Sequence, residues 1–211
     1  TVNKIFPNEQ PVTVETRADG KTVVTGYAAV FHRSDDSGTQ YQLMDNYYER
    51  IQPGAFDRAL AEMQDVRALF NHDANIVLGR TKANTLRLTT DSTGLRYEVD
   101  LPETQQAADL AKSITRGDVS GSSFAFSVTA EGQEIERSDG QTYRNITDAN
   151  LFDVSVVTYP AYESATTGLR SSENLEEAKA ALSKWEAEEN RERDAVKKRL
   201  AQIKLDANED L

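Results

Sequence analysis

Cysteine is absent from all 211 residues, which removes disulfides, thiolate metal sites and cysteine nucleophiles together. The same absence fits a reducing compartment. Histidine occurs only twice, at His32 and His72, so any imidazole chemistry falls to one of these two. No apolar run approaches the roughly 18 residues a transmembrane helix needs. Thr1 to Gln10 lack the basic-then-apolar pattern of a signal peptide. A chain opening on Thr rather than Met reads as trimmed. There is no basic stripe either: 35 acidic against 24 basic residues give a net charge of −11. No nucleic-acid partner and no membrane are therefore expected. The acidic balance favours solubility and carries no information on fold.

What is present reads mostly as short strands from Val12 to Tyr162. Val12 to Thr16 and Lys21 to Phe31 flank Ala18-Asp19-Gly20, a hairpin signal. His32 to Gln40 is a polar loop, and Tyr47 to Gln52 a further strand. Pro53-Gly54-Ala55-Phe56 opens a helix to about Gln64, with Phe56, Leu60 and Met63 at helical spacing. Val66 to Phe70 and Ile76 to Gly79 flank a turn holding His72. Thr85 to Thr90 and Leu95 to Leu101 form a hairpin around Asp91-Ser92-Thr93-Gly94. Thr104 to Arg116 is a helix, capped by Thr104 and stopped by Gly117. Ser122 to Thr129 and Leu151 to Thr158 are the most strand-like segments, with Thr142 to Thr147 between them.

Beyond Arg170 the composition changes. Residues 171–211 contain neither Gly nor Pro, and 19 of these 41 are charged. Leu175, Leu182, Trp185, Val196, Leu200 and Ile203 make a sparse apolar stripe at helical spacing. One or two long, mainly exposed helices are expected, either solvated or docked on a partner. The predicted division is a domain over residues 1–167 and a charged helical tail over 168–211.

Three residues could carry chemistry together. His72 follows an apolar run in Leu69-Phe70-Asn71-His72-Asp73. Ser123 lies in Gly121-Ser122-Ser123-Phe124-Ala125-Phe126. Asp153 opens Asp153-Val154-Ser155-Val156-Val157. A base, a hydroxyl and a carboxylate are the parts of acyl transfer. Alternation puts Phe124, Phe126 and Val128 on one face of a strand, and Ser123, Ala125 and Ser127 on the other. The aromatic face can anchor a core, leaving Ser123 accessible. Asp153 would share its face with Leu151, Ser155 and Val157, where an imidazole N–H would satisfy it.

These blocks resemble those of the prohead maturation proteases of tailed bacteriophages: Asn71-His72-Asp73 after a strand, Ser123-Phe124-Ala125-Phe126 after a Gly, and Asp153-Val154-Ser155-Val156-Val157-Thr158-Tyr159-Pro160-Ala161. Pro53-Gly54-Ala55-Phe56 and Leu78-Gly79-Arg80 are similar to two further blocks. The resemblance spans roughly residues 20–167, in the family's order. It implies a mainly β (α+β) fold, a small barrel like that of the related herpesvirus assemblins, with peripheral helices and a long C-terminal helical tail. It also implies roles: Ser123 as nucleophile, His72 as general base and Asp153 as its orienting carboxylate. Ser122 and Ser120 are weaker nucleophile candidates, and Asp73 is a second candidate to orient His72. Assemblins use a Ser-His-His site with an arginine shortly after the third member. This chain has no histidine near Asp153, and Tyr159-Pro160-Ala161-Tyr162 offers no arginine. A backbone donor such as the Ala161 N–H would have to take its place.

The implied function is a serine endopeptidase that cuts the major capsid protein and the scaffolding segment, and itself, inside the assembling procapsid in the host cytoplasm. No metal and no organic cofactor is needed for this chemistry. The tail is expected to dock or to form a homo-oligomer. One rival is a catalytically degenerate, scaffold-like assembly protein. Another is a metal-dependent hydrolase using His72, Asp73, Asp35 and Asp36, a thin ligand set.

Overall fold

The computed structural model describes residues 2–4, 11–159 and 172–209, with side chains over 11–159 and 176–200. It separates into two units, residues 1–171 and 172–211. The first unit is mainly β. Its strands form three sheets, and strand pairing among the described residues closes none of them into a barrel.

The sheet that carries the site has five strands: β1 (Val2–Lys4), β10 (Gly121–Val128), β13 (Ala149–Val157), β6 (Arg67–Phe70) and β7 (Asp73–Arg80), in that order. β10 and β13 are antiparallel, and β13 and β6 are parallel. A second sheet orders β2 (Thr13–Thr16), β3 (Thr22–Val30), β9 (Gly94–Asp100) and β8 (Leu86–Thr90). The third orders β11 (Gln133–Ser138), β12 (Gln141–Ile146), β5 (Tyr47–Ile51) and β4 (Tyr41–Met44). Here β12 and β5 run parallel and bury the Arg144–Glu49 ion pair at 3.0 Å. The sequence pattern misses β4 and β11. β4 has only four residues with a single buried position, and β11 is dominated by polar residues, so neither carries a clean alternation.

The core lies between these sheets. Phe124 and Phe126 of β10 stack at 4.7 Å, and Phe56 meets Phe124 edge-on at 5.7 Å and stacks on Phe31 at 6.1 Å. All but Phe31 are fully buried. Burying one such ring contributes about 1.5–3 kcal/mol, so this aromatic file braces β10 from behind. That gives the Pro53-Gly54-Ala55-Phe56 block a structural job. Gly54 adopts φ +89 in the turn that inserts Phe56.

Helix α1 is only Asp57–Ala61, shorter than the expected run to Gln64. Met63 takes φ +50 and ends it, since a left-handed residue cannot continue a right-handed helix. Helix α2 spans Gln105–Arg116, as the caps predict. The Thr104 hydroxyl accepts from the Ala107 N–H at 3.3 Å, and Gly117 takes φ +83. Ala107, Leu110 and Ile114 are its buried face.

The second unit is one helix, α3 (Ser172–Glu209), of 38 residues. At 1.5 Å per residue it is about 57 Å long. Val196 and Leu200 on its stripe are exposed. No described helix is long and apolar enough to cross a membrane.

The β6–β7 hairpin is tied at its base by a bidentate pair. Arg80 Nε and Nη2 donate to Asp65 Oδ1 and Oδ2 at 2.7 and 2.6 Å. Those bonds hold the Asp65 carboxyl down from 3.8 to about 2. Glu98 on β9 is likewise held from 4.5 to about 2, first by Arg17 and then by Arg96. Both folded values lie below the unfolded ones, so the unfolded chain takes up protons first as pH falls. Their stabilisation is present above the ordinary carboxylate range and is lost as pH falls from about 4.5 to about 2. The melting temperature followed by circular dichroism should drop through that window, and Asp65→Asn should make the drop shallower. A melting temperature flat across the window contradicts this.

Candidate active site

One chain reversal and one bulge build the site. β6 and β7 pair Phe70 with Asp73, leaving Asn71-His72 as a two-residue turn. Both turn residues have positive φ, +53 and +57, the type I′ geometry that matches the twist of a hairpin. Holding non-glycine residues there costs on the order of 1 kcal/mol each. The turn is held in place: Asn71 N–H donates to the Val156 carbonyl at 2.9 Å, Asn71 Nδ2 donates to Thr158 Oγ1 at 3.2 Å, and Asn71 Oδ1 accepts from the Thr158 N–H at 2.9 Å. Asn71 thus clips the His72 turn to the end of β13.

On β10, Ser123 faces Ser155 across the ladder and Ala125 faces Asp153. These four side chains share one face of the sheet. Between Phe126 and Ala125 the register slips by one residue on β13. Phe152 is the extra residue and is 43% exposed. The bulge places Leu151 opposite Phe126 and into the core cluster. Leu151 therefore does not share the face of Asp153, contrary to strict alternation. A bulge re-aims the residues on either side of it.

The side chains converge. His72 Nδ1 lies 2.7 Å from Asp153 Oδ1, and His72 Nε2 lies 2.6 Å from Ser123 Oγ. A carboxylate can only accept, so Nδ1 carries the proton and Nε2 is left to accept from the serine hydroxyl. Ser155 Oγ donates to the same Oδ1 at 2.7 Å and lies 3.2 Å from Nδ1. Ser123 is fully buried, while the side chains of His72 and Asp153 are 18% and 13% exposed. The expected accessibility of Ser123 does not hold, because the imidazole lies against its hydroxyl and the aromatic file lies behind its strand.

The other candidates are occupied elsewhere. Ser122 points to the core side and shares a hydrogen bond of 2.9 Å with the Tyr97 hydroxyl. Burial drives the Tyr97 phenol well above its usual range. Gly26 makes room for that contact, since a Cβ there would sit 2.6 Å from Tyr97 Oη. Ser120 is exposed ahead of β10, its carbonyl accepting from the Val12 N–H at 3.2 Å. Asp73 Oδ1 accepts from Asn75 N and Nδ2, both at 2.8 Å. His32 rests 3.4 Å from Thr39 Oγ1. Burial lowers its basicity, and the charge on Arg50 lowers it further. His72, Asp73, Asp35 and Asp36 are not brought together. Among the described residues no group of three or more His, Asp or Glu is placed to hold a metal ion. Ala161, the candidate oxyanion donor, lies outside the described residues.

The sequence pattern does not mark Ser155 or Asn71 as site residues. The period of two from Asp153 does put Ser155 on its face, the one readable trace of that contact.

A hydroxyl, an imidazole and a carboxylate in one hydrogen-bonded file, on a β-rich frame, define the class of serine hydrolases. The chain matches the sequence model of the caudovirus prohead serine proteases over residues 10–180, and it belongs to that family. It is accordingly a serine protease of capsid maturation. No curated protein matches the chain. Among solved structures it is similar to the capsid assembly protease of bacteriophage T4, gp21, at 12% identity and a TM-score of 0.44, over 74% of this chain and 96% of that one.

Proposed function

We propose that His72, Ser123 and Asp153 are the catalytic residues of an endopeptidase acting on phage capsid and scaffolding segments. The observation that carries this reading is the unbroken run from Asp153 Oδ1 through His72 to Ser123 Oγ, at 2.7 and 2.6 Å. Ser123 Oγ attacks the scissile carbonyl carbon while its proton passes to His72 Nε2. The imidazolium that forms is stabilised by Asp153 on its other nitrogen. His72 then gives that proton to the leaving amine, and the C–N bond breaks to leave an acyl-enzyme. Water, deprotonated by the same nitrogen, releases the second product and restores Ser123. No metal or organic cofactor enters these steps.

Membership of the family supports the major capsid protein and the scaffolding segment as substrates, and the enzyme itself as a further one. The site of action would be the assembling procapsid in the host cytoplasm. Incubating the enzyme with the cognate capsid and scaffold proteins and mapping fragments by mass spectrometry tests this. Discrete fragments that vanish with Ser123→Ala are expected. Intact proteins with an enzyme that still labels at Ser123 would move the substrate elsewhere.

The protease domain is assigned to residues 1–167 and the tail to 168–211. Residues 173–211 carry eight basic and eleven acidic side chains and few apolar ones. That is too little apolar surface for an independent core, and the reading is a docking or self-assembly helix. Gly168 and Arg170 at the junction lie outside the described residues. Truncation near residue 170 should leave a cooperatively folded domain that still cleaves peptides but enters procapsids poorly or loses its oligomeric state. A truncated chain that unfolds contradicts the assignment.

A further inference from the structure

We propose that Ser155 is a positioning residue of this site, acting through Asp153; the inference rests on the catalytic reading above. Ser155 lies two residues beyond Asp153 on β13 and directly opposite Ser123 across the β10–β13 ladder. It is 1% exposed, so its hydroxyl must find its partners inside the protein. Its Oγ donates to Asp153 Oδ1 at 2.7 Å, and the oxygen itself sits 3.2 Å from His72 Nδ1. The same Oδ1 accepts from His72 Nδ1 at 2.7 Å. One carboxylate oxygen thus takes two donors, as its lone pairs allow.

Among the described residues, the hydrogen-bond partners of the Asp153 side chain are His72 and Ser155. The other charged groups on the neighbouring strands are paired elsewhere. Arg67 on β6 is the register partner of Asp153, but its guanidinium pairs with Asp65 at 3.3 Å. Asp73 on β7 is held by Asn75. β10 carries no charged side chain. Ser155 is therefore the group that fixes the carboxylate independently of the histidine. It pins Oδ1 on the line to Nδ1 before His72 is protonated, and it shares the negative charge of that oxygen. Without it, the carboxylate is free to turn about its terminal torsion.

The test uses the full-length chain and a fluorophosphonate, which needs no knowledge of the natural substrate. Ser123 Oγ forms the bond to phosphorus, the P–F bond breaks, fluoride leaves with the electron pair, and the serine proton goes to His72. The rate is followed by intact mass across pH, with the site mapped by peptide mass spectrometry. A hydrogen bond to a charged group, expressed fully in the transition state, is equivalent to about a 10-fold or greater change in rate. Ser155→Ala should therefore label Ser123 about 10-fold more slowly at neutral pH. Its pH–rate profile should be displaced from the parent's, and its melting temperature should stay near the parent's. Ser155→Thr, which keeps the hydroxyl, should recover most of the rate. If Ser155→Ala proves unfolded, Ser155→Cys fills nearly the same volume with a weak donor and should again be slow. Parental rate and pH profile in a folded Ser155→Ala or Ser155→Cys overturn the proposal, provided Asp153→Asn is slow and Ser123→Ala is unlabelled. A parent enzyme that does not label at Ser123 refutes the catalytic reading itself.

Discussion

Ser123→Ala should abolish cleavage, a loss of up to about 10⁶-fold in kcat by comparison with serine proteases in general. Neither of the two neighbouring hydroxyls, Ser122 and Ser155, can take its place. Ser122, the adjacent hydroxyl, is turned to the core and bonded to Tyr97. Ser155 lies nearer Nδ1, the nitrogen that carries the proton, than a base-assisted attack could use. The removed oxygen leaves His72 Nε2 without its partner in a buried setting, yet serine to alanine adds no bulk, so the fold should survive. Ser122→Ala should behave differently. It breaks a buried hydrogen bond, costs about 1 kcal/mol of stability, and leaves activity close to the parent's. The readout is a time course of scaffold fragments on a gel, beside thermal melts of both variants. Near-normal cleavage by Ser123→Ala removes the nucleophile assignment.

Asp153→Asn should cost about 10⁴-fold in kcat while the protein stays folded. The shape is preserved and the chemistry is not. An amide can present its NH₂ to His72 Nδ1, which then has to accept. The ring proton moves to Nε2, and Nε2 can no longer take the Ser123 proton. Asp73→Asn should cost little, because Asp73 is engaged with Asn75 on the far side of the turn. The ranking of the two variants, measured at equal folded fraction, decides which carboxylate orients the base. If Asp73→Asn is the inactive one, the role passes to Asp73.

Much of the frame was legible because local rules and tertiary demands agree along it. Thr104 and Gly117 cap α2 where the sequence puts them, since the helix satisfies its own ends. The hairpin around Asp91 to Gly94 and the strand containing Ser123 follow from turn residues and alternation. Other features depend on partners distant in sequence. The short α1 ends at Ala61, ahead of Met63 in a left-handed conformation that no propensity signals. β4 is too short and β11 too polar to show an alternating pattern, and they pair with β5 and β12. The Phe152 bulge is invisible in a run of alternating residues, yet it decides that Leu151 enters the core.

The candidate site was legible as a set of residue types in a collinear order, without its geometry. Asn71-His72 reads as a turn, but the sequence does not say that both residues adopt positive φ or that Asn71 clips the turn to Thr158. The alternation at Ser123 assigns its face correctly and its exposure wrongly, since burial there comes from His72 on another hairpin. Ser155 looked like one more small strand residue. Its contact with Asp153 exists because both lie on the same face of β13, two residues apart.

The most direct measurement is the position of the fluorophosphonate adduct on the full-length enzyme, mapped by peptide mass spectrometry. One adduct is expected, on Ser123, formed quickly by the parent, at a far lower rate by His72→Ala and Asp153→Asn, and at the parental rate by His32→Ala. An adduct on Ser122 or Ser120, or labelling of Ser123 that is indifferent to His72, would contradict this expectation.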